Sequence, residues 1–337
     1  MRRRDFVMLL VGAIAAWPLT TLAQQPAKIY RIGNLTPGPV APRLHFYATF
    51  REGLRELGYV EGQHYVIELR SADGQLEKLP GLAAELVRLD VDVIIAATEP
   101  AVMAAKQATN RIPIVMVSTT DPIASGFIAS LARPGGNITG LTKLSAELSG
   151  KRLELLRELV PGISRVALLH FPPEAEEEVV FQLRAMEVAA RSLGVQVLKF
   201  EVRGPDDFER AFKAAKAGAG GLVVIDGART FSACARIVEL AAKYKLPAIY
   251  GWRECADLGG LVVYGPNLKH QWYRAASYVD QILKGAKPAN LAVERPTQFD
   301  LIVNHKTAET LGLIVPPSIL VREEAPIRPG DQPRRPW

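Results

Sequence analysis

Short apolar runs rich in β-branched residues alternate with stretches of helical period along nearly the whole chain, and this alternation limits the fold more than any other feature. In the first half the spacing predicts strands at 29–33, 64–70 and 91–97 and another opening at 112. Helices at 43–57, 76–89 and 101–108 separate them, and Gly58 stops the first of these. After 138–141 the pattern restarts. Helices are expected at 148–159, 176–193, 205–217 and 231–244, and strands at 165–171, 195–202, 221–226 and 246–251. A strand at 261–265, a helix at 267–283 and late strands at 299–303 and 319–321 complete the pattern. Repeated strand–helix–strand units build parallel sheets. The fold class is therefore α/β, with two lobes that are each a parallel sheet flanked by helices. The cleft between the carboxyl ends of the two sheets is where such folds bind ligands.

The most informative stretch is 112–140. Ile112-Pro-Ile-Val-Met-Val reads as a fully buried parallel strand, and it ends abruptly in Ser118-Thr-Thr-Asp-Pro122. Small hydroxyls and a carboxylate at that end sit where the cleft should be. Pro122 can open a short helix with Thr120 or Asp121 as its cap, so capping and ligand contact both stay open for these residues. Asn137, after Gly135-Gly136, reads as a turn former.

At 337 residues the chain is long for one core and comfortable for two lobes. An apolar share of 48% and a charged share of 23% are ordinary for a globular protein. The net charge is +6, and setting aside Arg2, Arg3, Arg4 and Asp5 removes +2 and leaves +4. The remaining basic residues form no stripe, which argues against a nucleic-acid partner.

Residues 1–23 read as a signal peptide. Arg2-Arg3-Arg4 is the charged region, 6–22 is the short apolar region, and Thr21-Leu22-Ala23 offers small residues for cleavage near Ala23. Arg3-Arg4-Asp5-Phe6-Val7 also fits the twin-arginine export pattern. The apolar run is short for a membrane span. The protein is thus expected in the periplasm. Cys234 and Cys255 are expected as two half-buried thiols; an oxidising compartment would permit their pairing, which the sequence leaves open.

Five motifs resemble one family of periplasmic substrate-binding proteins of ABC importers, the family that includes tryptophan- and tyrosine-uptake proteins. They are Phe50-Arg-Glu-Gly-Leu-Arg-Glu-Leu-Gly-Tyr-Val-Glu-Gly, Thr119-Thr-Asp-Pro, Arg133-Pro-Gly-Gly-Asn-Ile-Thr-Gly, Lys151-Arg-Leu-Glu-Leu-Leu-Arg-Glu-Leu-Val-Pro and Tyr264-Gly265. The resemblance runs from about Tyr30 to Val321 and is carried by the joint order of these motifs. It implies a type I periplasmic-binding-protein-like fold with three crossovers between lobes. The first lobe would comprise 28–143 plus about 266–288 and the second 144–265 plus about 289–325, with 326–337 as a tail. It also implies a small-molecule ligand clamped by hinge closure, a membrane permease as partner, a monomer, and neither cofactor nor catalysis. In the family the loop after the second lobe's first strand commonly begins Asn-Pro and carries small polar residues onto the ligand. Here it reads His170-Phe171-Pro172-Pro173-Glu174, which favours a larger apolar or aromatic acid over a plain α-amino acid.

Strand ends nominate the cleft residues: Asn34, Thr36, Thr98, Glu99, Thr119 and Asp121 in the first lobe, and Phe171, Glu174, Asp226, Tyr250, Trp252 and Tyr264 in the second. A ligand carboxylate would seek the Thr98 or Thr119 hydroxyl and helix-start N–H groups. An ammonium would seek Asp121 or Asp226. A ring would seek Phe171, Tyr250, Trp252 or Tyr264. Arg229 and Arg253 read as surface charges, with Arg253 an alternative clamp for a second carboxylate. His45 near the first loop reads as a surface or capping residue. Two other functions compete. One is a sensory binding protein serving a membrane receptor, which sequence does not separate from transport. The other is a periplasmic enzyme, which lacks any nucleophile elbow, zinc motif or phosphate-binding loop here, and the five histidines have no metal spacing.

Overall fold

A computed structural model describes residues 28–143, 145–173 and 178–323. Residues 1–23, where a signal peptide is expected, the expected tail and Glu174 lie outside the described residues. The first lobe is built from β1 (Tyr30–Thr36), α1 (Leu44–Glu56), β2 (Tyr65–Ser71), α2 (Leu79–Arg88), β3 (Val93–Ala97), α3 (Thr98–Ala108), β4 (Ile114–Thr119) and β5 (Ile138–Thr142). Its five strands lie in the order β2-β1-β3-β4-β5, all parallel. β3 and β4 are buried along their whole length, so their sequences are continuous apolar runs rather than alternating ones.

The second lobe follows with α4 (Ser145–Leu159), β6 (Arg165–His170), α5 (Glu178–Leu193), β7 (Gln196–Glu201), α6 (Pro205–Gly218), β8 (Gly221–Val224), α7 (Ala228–Ser232), α8 (Cys234–Lys243), β9 (Ala248–Tyr250), α9 (Arg253–Asp257) and β10 (Val262–Pro266). The chain then forms α10 (Leu268–Leu283), which packs on α1 and β4 of the first lobe, and returns as β11 (Phe299–Val303), α11 (His305–Thr310) and α12 (Pro317–Leu320). The second sheet has the order β11-β10-β9-β8-β6-β7, with β11 antiparallel to β10. The chain therefore crosses between the sheets after β5, after β10 and before β11. Among the described residues no helix is long and apolar enough to cross a membrane.

The return of α10 depends on a close approach. A Cβ at Gly53 of α1 would fall 2.8 Å from the Ala276 Cβ and 2.9 Å from the Tyr273 carbonyl, so only glycine lets the two helices meet there. Asn267 caps α10: its side chain accepts from the His270 N–H at 2.8 Å and donates to Asp300 at 3.0 Å, tying the crossover to the second lobe. Asn267→Ala is expected to cost about 1–2 kcal/mol in chemical denaturation, the scale of a lost helix cap.

Four sequence expectations change. Pro122 opens no helix, and residues 122–126 form turns. Residues 319–321 are not strand, because Pro317 opens the short α12. The helix expected at 231–244 is two helices that meet at Ala233 (φ −90°, ψ 3°). Cys234 and Cys255 are not free thiols but form a disulfide, with Cα atoms 5.9 Å apart. Cys234 opens α8 and Cys255 lies within α9, beyond the neighbouring strands β8 and β9, an adjacency that spacing along the chain does not reveal.

Candidate functional site

The lobes are closed on each other. Arg43 of the first lobe stacks on the Phe231 ring of the second with 4.8 Å between guanidinium carbon and centroid, and Phe46 lies 6.5 Å from the same ring. His45 reaches Glu254 at 3.0 Å. Deeper in, the Thr120 hydroxyl donates to Glu178 at 2.8 Å.

Between these contacts lies a cavity walled by both lobes. Its rings are Phe46 and Trp272, stacked at 6.1 Å, and Phe231 and Trp252, edge to face at 5.5 Å. Its cations are Arg43 and Lys143, and its small groups include Ala97, Thr98, Ser118, Gly227 and Ala228. The cavity measures about 40 Å³, room for a few waters, because the Arg43 guanidinium and the rings fill the cleft. Arg43 is held there by donating to the Pro39 carbonyl at 2.9 Å, and burial pulls its basicity below the usual arginine value.

Two residues at the rim of this cavity are strained. Thr98 has φ +71° and Ser118 φ +64°, a region that non-glycine residues seldom occupy and β-branched ones least of all. Such conformations cost on the order of 1 kcal/mol and concentrate at ligand sites. Both turn the chain out of a buried strand end. Thr98 also begins α3, whose N-cap, Ala97, offers no side chain to the free N–H groups. The Thr98 hydroxyl is buried and has no hydrogen-bond partner among the described residues.

Beneath the cavity the polar groups form a dense cluster. Lys143 contacts Glu178 at 2.7 Å, with side chains 4% and 0% exposed. Glu99 accepts from the N–H groups of Thr120 at 2.9 Å and Asp121 at 3.3 Å. Burial, then the adjacent Glu178, raises the Glu99 carboxyl well above the usual carboxylate range, against the opposing pull of Lys143. Burial disfavours the Lys143 charge, yet Glu178, Asp226 and Glu99 together hold its pKa above the ordinary lysine value.

Of the residues nominated by strand ends, Thr98 and Trp252 line the cavity. Asn34 and Thr36 are buried on β1, with Thr36 against the Tyr47 hydroxyl. Glu99 belongs to the cluster below. Thr119 turns into its own lobe and donates to the Met116 sulfur at 3.5 Å. Asp121 caps the N–H groups of Ile123 and Ala124. Phe171 packs edge to face on Phe208 and lines a hollow of about 430 Å³ at the mouth of the cleft, where Arg229 lies over its ring. Asp226 pairs with Arg152 at 2.8 Å. Tyr264 stacks on Phe299, and Arg253 approaches Asp300 at 4.0 Å. Tyr250 points the other way, into a hollow of about 510 Å³ on the outer side of the second lobe. That hollow is larger than the cavity but touches no residue of the first lobe's sheet or of α10, so lobe closure cannot act on it.

Strand-end reasoning missed Arg43, Phe46, Lys143, Phe231 and Trp272. The available signal was aromatic residues within the first turns of helices that follow strand ends or crossovers: Phe46 in α1, Phe231 in α7 and Trp272 in α10. Among the described residues no group of three or more His, Cys, Asp or Glu could hold a metal.

Comparison with known proteins bears on this site. A family profile described as ABC transporter substrate binding protein matches residues 41–326. A curated relative named tyrosine-binding protein, from Clostridioides difficile strain R20291, is 24% identical over 265 residues, covering 78% of this chain and 75% of its own. A conserved domain protein from Vibrio cholerae superposes with TM-score 0.82 at 25% identity, covering 89% of this chain and all of its own. An ABC domain from Streptococcus pneumoniae solved with L-Trp also gives TM-score 0.82, at 24% identity, covering 89% of this chain and 99% of its own.

Proposed function

Because the chain belongs to the family of ABC transporter substrate-binding proteins, we propose that it captures an aromatic or amino acid-like acid in the cavity between its lobes and delivers it to a membrane permease from the periplasm. The observation that carries this reading is the cavity's composition: four rings from both lobes, two cations and the Thr98 hydroxyl, which has no partner among the described residues. Rings enclose an apolar ring, Arg43 takes a carboxylate, and the uncapped start of α3 beside Thr98 adds N–H groups for the same anion. Only the closed arrangement makes contacts from both lobes, so a ligand that bridges them favours closure. The L-Trp complex and the tyrosine-binding relative point to the same ligand chemistry. The charged and apolar segment at 1–23 supports export.

A thermal-shift screen against L-Trp, L-Tyr, aromatic acids without an amino group, sugars and nucleosides tests the reading. A ligand at one hundred times its Kd adds about 2.7 kcal/mol of stability. An aromatic acid is expected to give the largest shift and to be recovered unchanged. A screen in which sugars or nucleosides shift the protein and no aromatic acid does would refute the ligand class, and consumption of the ligand would refute the non-catalytic role.

A further inference from the structure

We propose that closing the lobes takes up one proton, held between the carboxyl groups of Glu99 in the first lobe and Glu178 in the second, so that closure is favoured as pH falls. Hydrogen-bond counting carries the inference. Glu178 Oε2 accepts from the Thr120 hydroxyl and from Lys143, and Glu99 Oε1 accepts from the Thr120 and Asp121 N–H groups. The other two oxygens, Glu99 Oε2 and Glu178 Oε1, are buried and have no donor among the described residues. Both side chains bond the same residue, Thr120, Glu99 at its N–H and Glu178 at its hydroxyl, which makes the two carboxyl groups neighbours. Two bare carboxylates in that arrangement would repel, whereas one proton between them satisfies both oxygens.

Charge counting agrees. The groups that face the pair are Lys143 from the β5–α4 connection, Thr120 and the Asp121 N–H from the β4 exit, and Asp226 from the β8 exit with its partner Arg152 from α4. Lys143 balances Glu178 and Arg152 balances Asp226. Among the described residues the third carboxyl, Glu99, has no cation left, and it is neutral when closed. Burial raises its pKa, as the cluster's geometry requires. Opening the lobes parts Glu99 and Thr120 from Glu178 and admits water, so Glu99 returns towards an ordinary carboxylate. A carboxyl whose pKa is higher in the closed state favours closure fully below its open-state value. That advantage is lost as pH rises towards the closed-state value.

The inference rests on the hinge closure proposed above but not on the ligand, and its test uses the protein without added ligand. Small-angle scattering is recorded from about pH 5 to about pH 8, a range above the ordinary glutamate value. The wild-type chain is expected to be compact at the acid end and to expand as pH rises. The closing equilibrium should shift by about tenfold per pH unit where one proton is exchanged. Glu99→Gln should stay compact throughout, because its amide donates to Glu178 as the neutral acid does while its oxygen still accepts from Thr120. The same dimensions for both proteins at every pH would overturn the proposal. If the variant does not fold, infrared spectroscopy of the wild type decides: a buried carboxylic-acid band in neutral buffer supports the shared proton, and its absence refutes it. A failed ligand screen changes neither readout.

Discussion

Arg152→Met is expected to destabilise the protein by about 3–5 kcal/mol, the cost of breaking a buried ion pair from one side. Arg152 and Asp226 are each 1% exposed and meet at 2.8 Å. The same guanidinium donates from Nε to the Tyr264 carbonyl at 2.7 Å. It therefore joins α4, the first element of the second lobe, to the exit of β8 and to β10. The backbone of Asp226 is fixed on its other side by Gln182, which donates to its carbonyl at 2.7 Å and accepts from its N–H at 2.9 Å. Space for the pair exists only because residue 251 is glycine, since a Cβ there would lie 2.1 Å from Asp226 Oδ1 and 2.6 Å from the Arg152 Nη2 atom. A methionine fills the volume of the arginine but takes the guanidinium donor away from the buried carboxylate and from the Tyr264 carbonyl. The double substitution Arg152→Met with Asp226→Leu removes the carboxylate along with its arginine and should recover most of the loss, because two apolar groups need no donor. Guanidinium denaturation of the three proteins measures both effects. A single variant within about 1 kcal/mol of the wild type would mean that water reaches the pair and that it is not buried as described.

The same pair shows how far sequence carries. Asp226 ends an apolar strand, and a carboxylate there must find a partner. That reasoning is sound, but it cannot say whether the partner is a ligand or a side chain. Here it is Arg152, 74 residues earlier, brought alongside by the packing of α4 under the sheet. Tyr250 fails for a different reason. Residues two apart on a strand share a face, so Tyr250 and Trp252 differ in their place along the chain: Tyr250 still lies within β9, on a flank of the sheet, and Trp252 lies past its carboxyl end. Trp252, two residues beyond, reaches the cavity, and Tyr250 does not. The alternation of strands and helices was legible because burial on both faces forces continuous apolar runs. Contacts made by helices returning from the far end of the chain, such as Trp272 on α10 against Phe46, were not legible, because they depend on which lobe the crossover enters. The disulfide belongs with these: Cys234 and Cys255 are 21 residues apart in sequence and meet only because β8 and β9 are neighbours.

Phe231→Ala is expected to weaken binding of an aromatic acid by about 2–3 kcal/mol, roughly 30- to 150-fold in Kd. Phe231 comes from the second lobe, but its ring stacks under Arg43 of the first at 4.8 Å and abuts Trp252 at 5.5 Å. It therefore serves two roles when the lobes close. It forms one wall of the cavity, and it holds the cation assigned to the ligand carboxylate. Removing the ring loses apolar contact with the ligand and leaves Arg43 without its platform. Both losses fall on the closed state, so affinity should drop more than the stability of the folded lobes. Phe171→Ala supplies the contrast. That ring packs on Phe208 at 6.0 Å outside the cavity, so its loss should lower stability while leaving Kd within a few-fold. Calorimetric titration of the three proteins with one aromatic acid, alongside their denaturation curves, separates the two effects. If Phe171→Ala cost as much affinity as Phe231→Ala, the ring of the ligand would sit at the mouth of the cleft rather than between Phe46 and Trp252. If neither changed Kd, binding would lie outside the cleft altogether.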